Sequence, residues 1–406
     1  MDIGPIWRAM LKNKAGFVLI ALQIAVTMTI MVNAFAIMQE RANNAGRESG
    51  MDEANTFAFA SASFAEYDRE VMKTLIDEDL ALIRGLPGVK SAVATNSFPL
   101  RQGGWSMGLQ LEPGNATADT VGTAIYFVDE HGVDTFASTI IDGNNFAPNQ
   151  VSWQVEDDNT WPAAGIITEA LAKEMFPDES GAVVGKTVYV NDNDPVNIIG
   201  VVDRLQAPWE GWTGVERTML VPQRRTSEFQ RYVVRTEPGY RDTLMPEVEE
   251  LLSNSNKDRI IRDMTTMEQV RKLAYLGDTA MIKILTFVVI LLTIITGLGI
   301  VGLASFNVSR RTRQIGIRRA LGATKHAIVR YFMLENLIVS GIALTIGAIL
   351  SVALNMAMVE AFALEPLAWY VIPIAMIALL SVGQAAVAGP ARKASNISPA
   401  IATRSI

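Results

Sequence analysis

The chain has 406 residues, half of them hydrophobic, and a formal net charge of −7. It holds no cysteine, which excludes disulfides and thiolate metal sites, and only two histidines, His131 and His326, far apart in sequence. An acidic, strongly apolar chain is a poor candidate for nucleic-acid binding and a good one for a membrane protein.

The first predicted element follows a basic flank of Arg8, Lys12 and Lys14. Residues 15–38 form an apolar run of the length a bilayer requires, roughly 20 residues. Ala34-Phe35-Ala36 resembles a signal-peptidase site, but the run exceeds the roughly 7–15 residues of a signal h-region. It is therefore expected to be a retained first span.

Residues 39–280 follow as one large α+β insertion. Residues 40–280 contain 38 acidic and 21 basic residues, a net charge near −17. The linkers 40–55 and 256–280 are charged and are expected to extend the neighbouring spans as helical stalks. Between them, Glu70–Arg84 has helical periodicity and stops at Gly85-Leu86-Pro87-Gly88. Val89–Asn96 reads as a strand. Ile166–Phe176 gives a strand and then a helix ended by Pro177. Thr187–Val190 and Val196–Val202 read as paired strands around the turn 191–194. Arg231–Arg235 reads as another strand and Leu244–Leu252 as a helix. The segment Trp209-Glu210-Gly211-Trp212 is either an exposed contact loop or a pair of partly buried tryptophans.

A second span is expected at 281–306. It contains Gly297-Leu298-Gly299-Ile300-Val301-Gly302, which matches G-x-G-x-x-G. That fingerprint binds dinucleotides only after a strand within a βαβ unit. Inside a span, Gly297, Gly299 and Gly302 are expected to serve close helix packing.

The loop 307–330 is the sharpest local signal. Arg310–Thr324 holds five arginines and no acid in an acidic chain. Arg310–Leu321 can form about three helical turns, Gly322 can end that helix, and Thr324 can cap the next. Ile315, Ile317, Ala320 and Leu321 offer an apolar surface among the arginines. The plain alternative is a basic loop that only fixes topology. A third span is expected at 331–359, a short loop with Glu360 and Glu365 at 360–366, a fourth span at 367–389, and a tail at 390–406. Gln23, Asn33, Asn355 and Gln384 are scattered singly through the spans, which argues against a polar conducting pathway.

Lys and Arg crowd the N-terminal flank, the 307–330 loop and the tail (Arg392, Lys393, Arg404). The positive-inside rule therefore puts both termini and that loop in the cytoplasm and the insertion outside. Trp7, Trp369 and Tyr370 fall near the expected interfaces.

Three segments resemble the MacB/FtsX-type permeases, the type VII ABC exporter family. The first is Arg311–Thr324 (R-T-R-Q-I-G-I-R-R-A-L-G-A-T) with Phe332–Glu335 (F-M-L-E). The second is the tail Pro390–Arg404. The third is the ordered series Gly85–Val89, Glu169–Pro177, Val184–Val188 and Ile198–Val202 in the insertion.

The resemblance implies four transmembrane helices and a MacB-like periplasmic core domain between the first and second. It implies the transmembrane subunit of an ABC transporter in a bacterial inner membrane. ATP-driven closure of two cytosolic ATPase subunits would move the outer domains by mechanotransmission. No G-x-x-x-x-G-K-[ST] occurs in the chain, so no catalytic site and no bound cofactor are expected; ATP and Mg would sit on the partner ATPase. Arg311, Arg313, Ile315, Gly316, Ile317, Arg318, Arg319 and Leu321 would form the coupling helix. Expected partners are the ATPase dimer, a second permease (the same chain or a paralogue), a periplasmic adaptor and an outer-membrane channel. Relatives that release lipoproteins, or that regulate a periplasmic cell-wall hydrolase, supply the alternative functions.

Overall fold

The computed structural model describes residues 14–114, 120–155, 161–178, 183–191, 193–362 and 366–398. It divides into two compact units, residues 1–45 with 278–406 and residues 46–277.

The first unit is a helical bundle. Its long helices are α1 (Lys14–Gly46), α7 (Leu276–Arg310), α9 (Lys325–Phe362) and α10 (Val371–Ser395), with a short helix α8 (Thr312–Ala320) between α7 and α9. The four long helices are long and apolar enough to cross a membrane. Each is apolar nearly all round, as a lipid-facing helix must be. At 1.5 Å per residue, the 35 residues of α7 reach about 50 Å, well beyond the roughly 30 Å of a hydrocarbon core. The fourth helix begins at Val371, not at Leu367 as its apolar run suggests; Ala368 accepts from Val371 in the turn that starts it. Trp7, Glu365 and Arg404 lie outside the described residues.

In the bundle core, Met28, Val32, Ile300, Phe332, Ala343 and Leu379 belong to one buried apolar cluster. The polar residues of the spans knit helices together. Gln23 on α1 donates to the Ile295 carbonyl on α7 at 3.1 Å, and the Thr27 and Thr296 hydroxyls pair at 2.8 Å. Asn33 donates to the Ser351 carbonyl on α9 at 3.3 Å. The Asn355 side chain accepts from the Leu367 backbone at 3.1 Å.

The second unit contains β1 (Thr56–Ser63), α2 (Arg69–Arg84), β2 (Val89–Thr95), β3 (Trp105–Gln110), β4 (Val121–Val128), α3 (Gly132–Thr135), β5 (Ile140–Gly143) and β6 (Ser152–Trp153). It continues with β7 (Ala164–Thr168), α4 (Glu169–Met175), β8 (Thr187–Val190), β9 (Asp194–Val202), β10 (Thr218–Arg224), β11 (Phe229–Thr236), α5 (Arg241–Ser255), β12 (Arg259–Thr266) and α6 (Met267–Ala274). The strands and helices expected from the sequence all occur, within a few residues of their expected limits. The outer linker does not: residues 259–266 form a strand rather than a stalk, while α6 in that linker, the extensions of α1 and α7, and a 3-10 turn at Glu53–Asn55 are helical.

One sheet has the order β12-β1-β11-β2, every neighbour antiparallel. With α2 and α5 packed on it, β1-α2-β2 and β11-α5-β12 make a ferredoxin-like βαββαβ arrangement. Its core joins Phe57, Phe59 and Tyr232 of the sheet to Leu80, Ile83 and Val248 of the helices; Phe59 and Tyr232 stack with ring centroids 5.1 Å apart.

Residues 96–228, between β2 and β11, build a second sheet of order β4-β3-β8-β9-β7-β10. The parallel pairing of β10 with β4, Thr218 with Ala124 through Pro222 with Val128, joins its two ends. The result is a closed six-stranded barrel, with β5 and β6 attached to β9 and β10. Its interior holds Leu109, Ile125, Ile167, Val196, Ile198 and Met219. Closure removes the open edges that an isolated sheet of this size would expose.

The two lobes meet at Asp129, just beyond β4, which is almost fully buried. It binds Arg84 of α2 at 2.7 Å and Arg224 of β10 at 2.9 Å. Asn96, just beyond β2, donates to the Ile125 carbonyl and accepts from the Phe127 amide.

Candidate functional site

The helix α8 is the site the sequence points to. It begins where α7 ends. The Arg311 amide reaches both the Asn307 and Val308 carbonyls at 3.1 and 3.2 Å, so the ladder tightens and breaks there. Arg310 thus closes α7, and α8 is shorter than the three turns expected. It ends in a Schellman motif: the Ala323 amide reaches the Arg318 carbonyl and the Gly322 amide reaches the Arg319 carbonyl. Gly322 has φ +95°, the left-handed conformation that this motif requires. Thr324 then accepts from the Ala327 amide at 3.2 Å and caps α9. The Gly-Ala-Thr break thus has the expected defined geometry.

A helix of this length has two usable faces. Residues 311, 315 and 319 share one, and it turns inward. Ile315, only 5% exposed, joins the buried cluster of the bundle, and Gly316 beside it is buried. Arg311 bridges both carboxylate oxygens of Glu335 on α9 at 3.0 Å, near the Tyr331 hydroxyl. Arg319 donates to the Ser395 carbonyl at the end of α10. These contacts hold α8 against α9 and α10. They overturn the expectation that Ile315 contributes to an outward apolar surface; Ile315, Gly316, Arg311 and Arg319 are spent inside the chain.

Residues 313, 317, 320 and 321 form the opposite face, and it is open. Ile317 is 44% exposed and Leu321 84% exposed. Arg313 is exposed beside them. Arg318 is exposed too, and its guanidinium lies over the Tyr331 ring, 5.1 Å from the centroid. The outward surface is thus two large apolar side chains flanked by cationic ones, on a helix fixed at its start, its middle and its end.

Of the three glycines expected at helix contacts, only Gly299 makes a tight one. A Cβ there would lie 2.6 Å from the Gln23 side chain of α1. At Gly297 it would touch Val382 at an ordinary 3.7 Å, and at Gly302 it would meet nothing. A second close glycine contact in the bundle lies outside that motif. A Cβ at Gly347 on α9 would lie 3.0 Å from the Ala25 carbonyl and from Met28. Nothing in the local sequence marks it beyond its small neighbours.

In the second unit, Trp209 and Trp212 pack edge to face at 5.9 Å. Trp212 covers Gly122 on the barrel, and both tryptophans are half-buried. Among the described residues, no group of three His, Asp or Glu side chains could hold a metal ion.

Residues 16–251 match the MacB-like periplasmic core domain, and residues 286–399 match the FtsX-like permease C-terminal domain. The chain is 24% identical over 342 residues to the uncharacterized ABC transporter permease YknZ of Bacillus subtilis (strain 168), covering 82% of this chain and 79% of that protein. It is 29% identical over 356 residues to the macrolide export ATP-binding/permease protein MacB of Azoarcus sp. (strain BH72), covering 83% of this chain and 49% of that one. The chain thus spans about half the length of the MacB proteins it matches. The solved extracellular domain of a YknZ transporter from Gram-positive bacteria aligns over 51% of this chain and 100% of its own length, at 18% identity and a TM-score of 0.31. A multi-pass membrane chain with these two matched domains belongs to the family of FtsX-like ABC transporter permeases that carry a MacB-like periplasmic core domain.

Proposed function

We propose that this permease couples ATP hydrolysis on a separate ABC ATPase to conformational work in its inserted domain. In this reading the α8 end of the bundle and both termini face the cytosol, as the Lys and Arg distribution favours. The ATPase groove receives Ile317 and Leu321, and acids at its rim face Arg313 and Arg318. Movement of the ATPase is delivered to α8, which is continuous in chain with α7 and pinned to α9 and α10. α7 carries it along an unbroken helix of about 50 Å toward the inserted domain. No substrate need cross the bilayer through this chain. Efflux with a periplasmic adaptor and an outer-membrane channel is the function we favour, by analogy with relatives named for macrolide export. Two copies of this chain, or this chain and a paralogue, would form the dimer.

One observation carries the coupling reading. A leucine that is 84% exposed stands at the end of a basic helix whose opposite face is anchored by three separate contacts. A topology-fixing loop needs neither the anchor nor the exposed apolar pair.

The test is the double substitution I317D/L321D in the chain co-expressed with an ABC ATPase that co-purifies with the parent chain. The variant is expected to insert and elute normally but to retain less than a tenth of the ATPase through purification. Full retention of the ATPase, with unchanged hydrolysis, would sink the reading.

A further inference from the structure

The inserted domain is strongly acidic, yet three arginines line one of its cavities. The cavity, about 500 Å3, opens where the ferredoxin-like lobe meets the barrel, and Arg101, Arg225 and Arg231 stand in its wall. A second cavity of about 450 Å3 shares Arg101 and Arg231 with it. That neighbour is lined by Phe59, Phe98, Leu100, Met264, Val270 and Leu273. The two are a cationic chamber and an apolar chamber with a common arginine wall.

The arginines are held there by the fold. Arg225 lies over the rings of Phe127 and Trp105, 3.8 and 4.4 Å from their centroids, and its Nε donates to Gln223 at 2.9 Å. Among the described residues it forms no ion pair. Burial and the neighbouring Arg69 bring its pKa down to about 10, so it remains charged at neutral pH without a compensating anion among the described residues. Arg101 and Arg231 are lowered as well, chiefly by burial, and Arg231 depresses Arg101 further. Among the described residues, Asp263 is the one carboxylate on these walls and acts in the opposite direction on both. Three guanidiniums against that one carboxylate leave an excess positive charge among the described residues.

The backbone is bent to make this arrangement. Leu100 and Gln102, on either side of Arg101, both have positive φ, +65° and +66°. Asp263 does too, at +56°, where the pairing of β12 with β1 shifts register. Left-handed non-glycine residues are strained and cluster at functional sites. Leu100 is buried in the apolar chamber while Arg101 faces the shared wall.

From this geometry we infer that the inserted domain binds an anionic amphiphile, its acidic group among Arg101, Arg225 and Arg231 and its apolar part against Phe98, Val270 and Leu273. Each chamber has the size of a small-molecule pocket. Arginine forks suit a carboxylate, phosphate or sulfonate oxygen pair, and the same wall repels cations. The site owes nothing to α8, so it stands or falls apart from the coupling proposal.

The test is calorimetric titration of the full chain in phosphatidylcholine nanodiscs, with empty discs as the blank. Octane-1-sulfonate is expected to bind at one site per chain. Methanesulfonate, which lacks the tail, and octyltrimethylammonium, which reverses the charge, should bind at least tenfold more weakly. R225Q and R231Q should each weaken octane-1-sulfonate about tenfold. Leu273 is 69% exposed, so L273S should fold normally and still weaken it severalfold. Repeating the titration in discs containing phosphatidylglycerol assigns the source: competition identifies a bilayer lipid and no competition a soluble amphiphile, and either supports the site. Equal binding of the cationic amphiphile, equal binding of methanesulfonate, or indifference to both R225Q and L273S overturns the inference.

Discussion

Ile315 and Ile317 stand two positions apart in one short helix and have opposite surroundings. The first is packed in the bundle and the second meets solvent or a partner. A carboxylate at Ile315 would enter an apolar cluster, at a cost of roughly 3 kcal/mol or more. I315D is therefore expected to reduce the yield of monodisperse protein severalfold in size-exclusion chromatography, whereas L321D should elute like the parent. A similar pair separates packing glycines from lipid-facing ones. Gly347→Leu must push α9 away from the Ala25 backbone, an overpacking cost of about 1–3 kcal/mol or more. Gly302→Leu enters open space. The first should lower the apparent melting temperature by several degrees in a detergent thermal-shift assay; an equal response of the two would contradict the packing described. That α8 is a short basic helix was legible in its sequence, although Ile315 and Ile317 were expected on one apolar surface. Which face turns inward was not legible, because Glu335 and the Ser395 carbonyl decide it, and they come from other helices.

At the level of elements, local signals sufficed where local chemistry decides. Gly322 and Thr324 mark the end of α8 and the cap of α9, and both act as their residue types suggest. Gly322→Val would force a β-branched residue into φ +95° and cost about 1–2 kcal/mol. Because that motif sets the angle between α8 and α9, coupled ATP hydrolysis should fall more than expression does; unchanged hydrolysis would show that the angle does not matter. Non-local pairing was hidden. β12 reads as a charged linker because its strand R-I-I-R-D-M-T-T has one face in solvent and a bulge at Asp263. Barrel closure was invisible for a stronger reason: β4 and β10 lie some 90 residues apart, and their parallel pairing leaves no short-range signature.

Across the inserted domain as a whole, stability should depend on pH through a buried ion pair. Asp79 accepts from Arg259 at 2.5 Å and from the Tyr232 hydroxyl at 2.8 Å. Burial raises its pKa above the usual carboxylate value, and Arg259 opposes that rise. A carboxyl with a raised folded pKa favours the folded state below its unfolded pKa and loses that contribution as pH rises through the raised value. Removing Arg259 raises it further and leaves an unpaired buried carboxylate, at about 3–5 kcal/mol near neutrality. R259L should therefore destabilise most at pH 8 and less at pH 5, followed by tryptophan fluorescence during thermal unfolding. A penalty that is flat or grows on acidification would rule this out.

The strands that begin and end the inserted domain are neighbours. Phe57 near the start of β1 pairs with Thr266 at the end of β12, so the chain enters and leaves this unit at the same end of two adjacent strands. Pulled apart there, such strands peel like a zipper, one rung at a time, at far lower force than strands sheared along their length. Each unit carries one clasp between the two chain segments that lead to and from the inserted domain. Arg41 holds Asp278 at 3.2 Å between α1 and α7, and Arg271 on α6 grips both oxygens of Glu53 ahead of β1 at 2.6 Å. Under the coupling proposed above, the ATPase can therefore tilt or lift this domain only while its two tethers travel together. Any stroke that spreads them tears the first rungs instead of doing work.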